Sequence, residues 1–182
     1  MTYRIGLGIL LPDVIYNHIR AVELDIMDKT SNQRGLTQPP NITVKRPFEL
    51  SSKTELNSFL KLLDSVNCEM VGTTSYESIG FFENGFMHLK VSENSLLNTL
   101  HSNLLKLCTN FHIKPDEFEA ENVIFHTTLA MNLTDEQVRQ FAATLKNLPS
   151  NIRTFVPCQL GVFTWLSESD TWVITKIIDL AA

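Results

Sequence analysis

Two short segments of this chain share a spacing that suits phosphate chemistry. Asn41-Ile42-Thr43-Val44 and His126-Thr127-Thr128-Leu129 each lie in a strand-like run, separated by close to half of the chain. In a strand, residues two apart leave the same face, about 6 to 7 Å from each other. Each segment therefore presents two polar side chains together, and two such segments facing each other would make a two-sided phosphate site.

The two segments differ at their first residue. His126 carries an imidazole that titrates near neutral pH and can move a proton, whereas Asn41 can donate a hydrogen bond but cannot act as acid or base. The hydroxyl groups of Thr43 and Thr128 can donate to non-bridging phosphate oxygens. By alternation Lys45 leaves the same face as Thr43, where it would attract phosphate; the alternative is a solvated charge at the end of the strand.

A few other side chains are candidates for the same site. His88 lies on the predicted strand Phe86 to Val91 with parity opposite to its apolar neighbours, so it could border the site as a substitute proton carrier. The remaining histidines, His18, His101 and His112, lie on or beside predicted helices and are expected to be solvated. Several aromatic residues lie on predicted hairpins, where one near the cleft could stack on a base but packing is the expected role: Tyr76, Phe81, Phe82, Trp165 and Trp172.

The apolar pattern alternates between strand and helix periods. Predicted strands are Tyr3 to Leu11, Asn41 to Pro47, Phe86 to Val91 and Asn122 to Met131, with hairpins over Cys68 to Phe82 and Ile152 to Asp179. Predicted helices are Pro12 to Lys29, Lys53 to Ser65, Glu93 to Asn110 and a helix from Thr134 to Lys146. Pro47 is expected to end its strand, and the pairs Ser52/Glu55 and Thr134/Gln137 predict capping boxes.

The order of elements repeats, so each half of the chain is predicted to be β-α-β-α-β-β with one polar segment on its second strand. We therefore expect a single domain over residues 1–182, made of two pseudo-symmetric lobes at about 1–83 and 84–182. The predicted fold is α+β, with two antiparallel-rich sheets around a central cleft and the helices outside. Gly6 and Gly8 alternate in the first strand, where they either leave room for a ligand or ease sheet packing.

Composition limits the class of function. The chain has 182 residues and a net charge of −5, which argues against a long nucleic-acid-binding surface but not against a site for one phosphate. The three cysteines have no metal-site or disulfide spacing, so reduced thiols are expected. We find no signal peptide and no run of membrane-spanning length. A cytoplasmic protein, monomeric and without membrane contact, is the resulting expectation.

The context of the two segments resembles a known family. The run Thr37-Gln38-Pro39-Pro40-Asn41-Ile42-Thr43-Val44-Lys45-Arg46-Pro47-Phe48 and the run Ile124-Phe125-His126-Thr127-Thr128-Leu129-Ala130 are similar to the two signature strands of the 2H phosphoesterases, the 2′-5′ RNA ligase-like group. That family carries two His-x-Thr/Ser motifs. The order of strands and helices also fits, so the resemblance covers essentially the whole chain.

The resemblance implies a cleft that grips a phosphodiester or cyclic phosphate between the two motifs, without a metal or other cofactor. One family histidine takes a proton from the attacking group and the other protonates the leaving oxygen. Carried over by position, His126, Thr128 and Thr43 would be catalytic, and Asn41 and Lys45 would bind substrate. Asn41 stands where the first histidine belongs, so one general acid or base is missing.

Two functions follow from this resemblance. The first is a phosphoesterase for 2′,3′-cyclic phosphates or 2′-5′ linked nucleotide or RNA ends, impaired or atypical because of Asn41. The alternative is a catalytically inactive protein that binds a nucleotide or RNA end in the same cleft. A third reading, a scaffold that uses only the surface of the fold, is also open.

Overall fold

The computed structural model describes residues 2–66, 72–120, 123–144 and 152–180. The strands are β1 (Tyr3–Leu10), β2 (Asn41–Leu50), β3 (Thr74–Phe82), β4 (Phe86–Val91), β5 (His126–Ala130), β6 (Thr154–Phe155), β7 (Gln159–Leu166) and β8 (Thr171–Asp179). The helices are α1 (Asp13–Thr30), α2 (Lys53–Leu63), α3 (Ser95–Thr109), α4 (Glu117–Ala120) and α5 (Asp135–Thr144). In the described part of the chain, none of them is long and apolar enough to cross a membrane.

Over the described residues the strands form two four-stranded antiparallel sheets. Their strand orders are β2-β1-β7-β8 and β5-β4-β3-β6. The strands that carry the two polar segments, β2 and β5, are thus each at an edge of their sheet, and they lie next to each other. The prediction of an α+β fold with two antiparallel sheets is confirmed.

Each sheet takes strands from both halves of the sequence. The first sheet joins β1 and β2 to β7 and β8, and the second joins β3 to β4, β5 and β6. β3 of the first half has therefore joined the second sheet, and β7 and β8 of the second half have joined the first, so the expected boundary near residue 83 does not separate the sheets. The exchange brings the hairpin β7–β8 beside the first polar segment.

The core is formed by the inward faces of the strands and by apolar stripes of the helices. Ile5, Leu7 and Ile9 of β1 are at most 1% exposed, and Ile15, Ile19 and Ile26 of α1 are at most 2% exposed. Their period of two in the strand and three to four in the helix is the pattern that predicted these elements. The Thr134/Gln137 capping box is present at the start of α5, where the two residues exchange hydrogen bonds. At the start of α2, Ser52 accepts from the Glu55 amide, but the Glu55 carboxylate accepts from Ser51 instead of Ser52.

The extent of several strands differs from the prediction. β2 does not end at Pro47 but continues to Leu50. It is an edge strand, and its register shifts around Pro47, between the pairs Lys45–Leu7 and Phe48–Ile5. An edge strand or a bulge tolerates proline because the missing amide does not break a central ladder. β5 begins at His126, later than predicted. β3 is one strand from Thr74; Cys68, where a hairpin was predicted to start, lies outside the described residues.

Candidate active site

The first polar segment begins at Asn41, the first residue of β2. Its Nδ2 donates to the Pro39 carbonyl at 2.9 Å, and its Oδ1 accepts from Thr43 Oγ1 at 3.2 Å. The side chain lies over β1 at Gly8, where an added Cβ would be 2.4 Å from Asn41 Oδ1. Gly8 therefore makes room for residue 41 itself, rather than for a ligand. Asn41 and Thr43 share a face, as predicted.

Lys45 does not present its charge on that face. Thr43 pairs with Gly8, but Lys45 pairs with Leu7, so the register shifts between them. Such a bulge turns the following side chain away from the direction that simple alternation predicts. The Lys45 side chain is 2% exposed. The alternative of a solvated charge is therefore wrong. Lys45 also lines the cavity beside Thr43, and its role in binding substrate stays a prediction.

The Lys45 ammonium is held in a buried ion pair. It donates to both carboxylate oxygens of Glu119, at 2.9 and 2.7 Å, and the amide of Arg46 donates to the same carboxylate at 2.7 Å. His101 of α3 lies 2.7 Å from the Val44 carbonyl and 3.1 Å from the Glu119 carbonyl. The expectation that His101 is solvated is wrong, since α3 packs this side against β2. These contacts fix the strand that carries Asn41 and Thr43.

The second polar segment also has the predicted orientation. Thr127 is fully buried, and its hydroxyl is 2.7 Å from the Tyr76 hydroxyl. His126 and Thr128 lie half-buried on the opposite face. His126 Nδ1 is 2.8 Å from the Ile124 carbonyl, so it must carry the proton and leaves Nε2 to exchange one.

The surroundings of His126 favour its neutral form. Burial lowers its pKa, the Ile124 carbonyl opposes this, and the positive charge of Arg46 lowers it further. The ring makes edge contacts with Phe82, at 5.2 Å between centroids, and with Phe86, at 5.6 Å. A neutral imidazole with one fixed proton is suited to act as a general base at neutral pH.

His88, which the sequence analysis named as a possible substitute proton carrier, lies next to His126. Its ring centroid is 5.1 Å from that of His126, and its strand position is opposite Thr128. It is 3% exposed and stacked on Phe82, with 4.0 Å between centroids. Burial and the neighbouring His126 lower the pKa of His88 to about 4. His88 is therefore neutral near pH 7 and cannot supply the proton that Asn41 lacks.

One cation that acts on the second segment is Arg46, which sequence alternation did not select. Its guanidinium pairs with Asp116 at 2.6 Å and lies 4.8 Å from the centre of the Phe118 ring. Its charge acts on the pKa of His126, although it belongs to β2. Arg46 thus links the two edge strands electrostatically. Simple alternation did not select Arg46 because the register of β2 shifts beside it.

A cavity of about 80 Å³ opens beside the first polar segment. Its lining is polar on one side and aromatic on the other: Gly6, Leu7, Gln38, Asn41, Thr43, Lys45, Pro47, Phe163 and Trp172. His126 and Thr128 are not part of this lining; they lie on the neighbouring strand β5. The site therefore has two parts, a cavity at β2 and a histidine-bearing surface at β5. Among the described residues, no group of three or more potential ligands is placed to hold a metal ion.

Comparison with known proteins gives a result at the level of the fold. No protein-family model matches this sequence, and no curated protein is similar to it in sequence. Solved structures do match over the full length. E. coli LigT in apo form has a TM-score of 0.71 and 12% identity, with 100% of this chain and 99% of LigT covered.

Two further structures match similarly. E. coli LigT complexed with 3′-AMP gives a TM-score of 0.69 at 14% identity, with 100% and 99% of the two chains covered. A phosphoesterase gives a TM-score of 0.63 at 13% identity, with 99% of each chain covered. The chain therefore has the fold of LigT, the fold that its resemblance to the 2H phosphoesterases implied.

Proposed function

We propose that this protein is a 2H-type phosphoesterase that acts on 2′,3′-cyclic phosphates or on 2′-5′ linked nucleotide or RNA ends. One observation carries the proposal: the two polar segments lie on the adjacent edge strands β2 and β5. Thr43 and Thr128 then offer hydroxyls from two strands, and His126 offers a base beside one of them. Support also comes from the shared fold, since LigT has been crystallised with 3′-AMP and another match is a phosphoesterase.

In this mechanism His126 is the only proton carrier. Its Nε2 accepts a proton from the attacking water or hydroxyl, while the hydrogen bond from Nδ1 to Ile124 holds the ring in the required tautomer. The hydroxyls of Thr43 and Thr128 donate to non-bridging oxygens as charge develops on them. Asn41 can donate to the phosphate but cannot protonate the leaving oxygen, which therefore takes its proton from water while His126 returns its own to solvent. A missing acid or base costs about a hundred- to ten-thousandfold in rate, so slow turnover is expected.

The direct test is hydrolysis of a 2′,3′-cyclic nucleotide by wild type and by His126→Ala. We expect a slow but measurable wild-type rate, reduced about a hundredfold or more in the variant. Thr128→Val should lower the rate without unfolding the protein, because Thr128 is half-buried and its hydroxyl is the only group removed. His112→Asn is the matched control, since His112 is exposed and has a positive φ that asparagine tolerates. Equal rates for wild type and His126→Ala would refute the catalytic role.

The second candidate is a protein that binds a nucleotide or RNA end without turnover. The hydrogen bonds of Asn41 favour it, since the Thr43 hydroxyl at the cavity donates to Asn41, which carries no exchangeable acid or base. This function predicts binding of a cyclic nucleotide that Thr43→Val and Thr128→Val weaken, with no hydrolysis above background. The absence of both binding and hydrolysis would refute both candidates and favour a scaffold.

A further inference from the structure

The cavity at β2 forms a trough with Gly6 of β1 as its floor, where no side chain projects. Thr43, Gly8 and Gly161 are direct neighbours across β2, β1 and β7, and Gly6 is opposite Phe163. An added Cβ on Gly6 would make contacts of 3.7 Å or longer with Lys45 and Pro47, whereas the space above Gly8 is filled by Asn41. The opposite face of these strands is the packed core, where Leu7 and Val162 are 1% exposed. Of these glycines, only Gly6 is part of the cavity lining.

An aromatic wall stands across this floor from Asn41 and Thr43. Trp172 lines the cavity together with Phe163, and its neighbour Trp165 lies opposite it in the β7–β8 ladder. The two indole rings are 5.2 Å apart. The guanidinium of Arg4 lies 5.7 Å from the Trp172 ring and 5.9 Å from the Trp165 ring, which holds the pair in place. Trp172 remains partly exposed at the cavity.

We propose that this trough is a base-binding subsite, in which Trp172 stacks on the base of a nucleotide whose phosphate lies at Asn41 and Thr43. Stacking on an aromatic ring is strong and tolerant of base identity, because every base presents a π-face. A cavity with Asn41 and Thr43 on one side and an indole on the other suits a ligand that is charged at one end and flat at the other. The position of the phosphate rests on the proposed function, whereas the stacking contact does not require turnover.

The composition of the chain gives this subsite an intrinsic probe. The protein has two tryptophans, and they are the pair Trp165 and Trp172. We expect adenosine 3′-monophosphate and adenosine to quench tryptophan fluorescence in a saturable way, and inorganic phosphate and ribose 5-phosphate to leave it unchanged. Quenching of equal size by ribose 5-phosphate, or none by either adenosine compound, would overturn the proposal.

Substitution separates stacking from general packing. By calorimetric titration, Trp172→Ala should weaken adenosine 3′-monophosphate binding by about five- to a hundredfold, and Trp172→Phe should keep most of the affinity because a ring remains. Trp165→Phe is the matched control and should change affinity by less than about threefold. Thermal melting checks that each variant is folded. Unchanged affinity in folded Trp172→Ala would overturn the proposal.

Measurements of binding and of hydrolysis distinguish a wrong base subsite from a wrong phosphoesterase assignment. If the base does not stack on Trp172 but the phosphoesterase assignment holds, hydrolysis of a cyclic nucleotide stays dependent on His126 while Trp172→Ala leaves affinity unchanged. If the phosphoesterase assignment fails, no hydrolysis is seen, yet adenosine still binds in a Trp172-dependent way. The first outcome overturns the subsite, and the second supports it.

Discussion

Glu23 shows how a single buried residue sets a pH dependence. The residue is 2% exposed within α1, and its carboxylate pairs with Arg20 at 2.7 Å. Burial raises the pKa of Glu23 to about 8, and the charge of Arg20 offsets only part of this effect. Because the unfolded pKa is near 4.5, folding requires proton uptake between these values. Glu23 therefore makes the protein less stable as pH rises through this range.

Replacing Glu23 with Gln should remove this dependence, because glutamine imitates the neutral acid. We expect Glu23→Gln to raise the free energy of unfolding by about 1–3 kcal/mol at pH 7.5 and to change it little at pH 4.5. Urea denaturation at the two pH values makes the measurement. Equal destabilisation at both values would show instead that the ion pair with Arg20 outweighs the burial of the charge.

For His126 and His88, the sequence predicted the position of each side chain but not the burial of His88. The type and parity of His126 predicted its face, and the same parity placed His88 beside the site. The sequence did not show that His88 is stacked on Phe82 and only 3% exposed. Burial of this kind depends on residues distant in sequence, and it decides the protonation state. His88 is thus a neutral neighbour of the one proton carrier in the proposed mechanism.

At the scale of elements, β2 is fixed by an ion pair that the sequence concealed. Alternation assigns Lys45 to the face of Thr43, but the bulge in β2 turns it toward Glu119. Bulges have no simple sequence signal, and Glu119 lies in a short acidic segment that is typical of an exposed surface. The strands and long helices were predictable because their apolar periods are local. The bulge, the course of the strand past Pro47 and the burial of His101 depend on pairing with other elements.

The same ion pair gives a prediction for β2. Lys45→Met leaves the Glu119 carboxylate buried with two backbone amides and no countercharge. We expect a loss of about 3–5 kcal/mol in the free energy of unfolding, the usual cost of breaking a buried pair from one side. The double variant Lys45→Met/Glu119→Leu should lose less than the single variant. Chemical denaturation of both proteins provides the test, and a double variant less stable than Lys45→Met would contradict it.

At the scale of the whole molecule, the exchange of strands between sheets builds the site. β7 pairs on one side with β1 of the other half and on the other side with β8, and so it carries β8 and Trp172 to the cavity beside Thr43. The repeated order of elements predicted the two sheets. It did not predict which sheet β3 and the β7–β8 hairpin join, because strand pairing over such distances leaves no local pattern. The two polar segments could be identified from the sequence alone. The position of the aromatic wall beside them could not, because it depends on the order of the strands in the sheet.

The central claim is that the site on β2 and β5 is a phosphoesterase site with one of its two proton carriers missing. The most direct measurement compares hydrolysis of a 2′,3′-cyclic nucleotide by wild type and Asn41→His, each with and without His126→Ala. The space above Gly8 that holds the Asn41 side chain is where the new imidazole would start. The account predicts that Asn41→His raises the rate by about ten- to a thousandfold and that His126→Ala abolishes the gain. An unchanged rate in Asn41→His, or a gain that survives loss of His126, would contradict it.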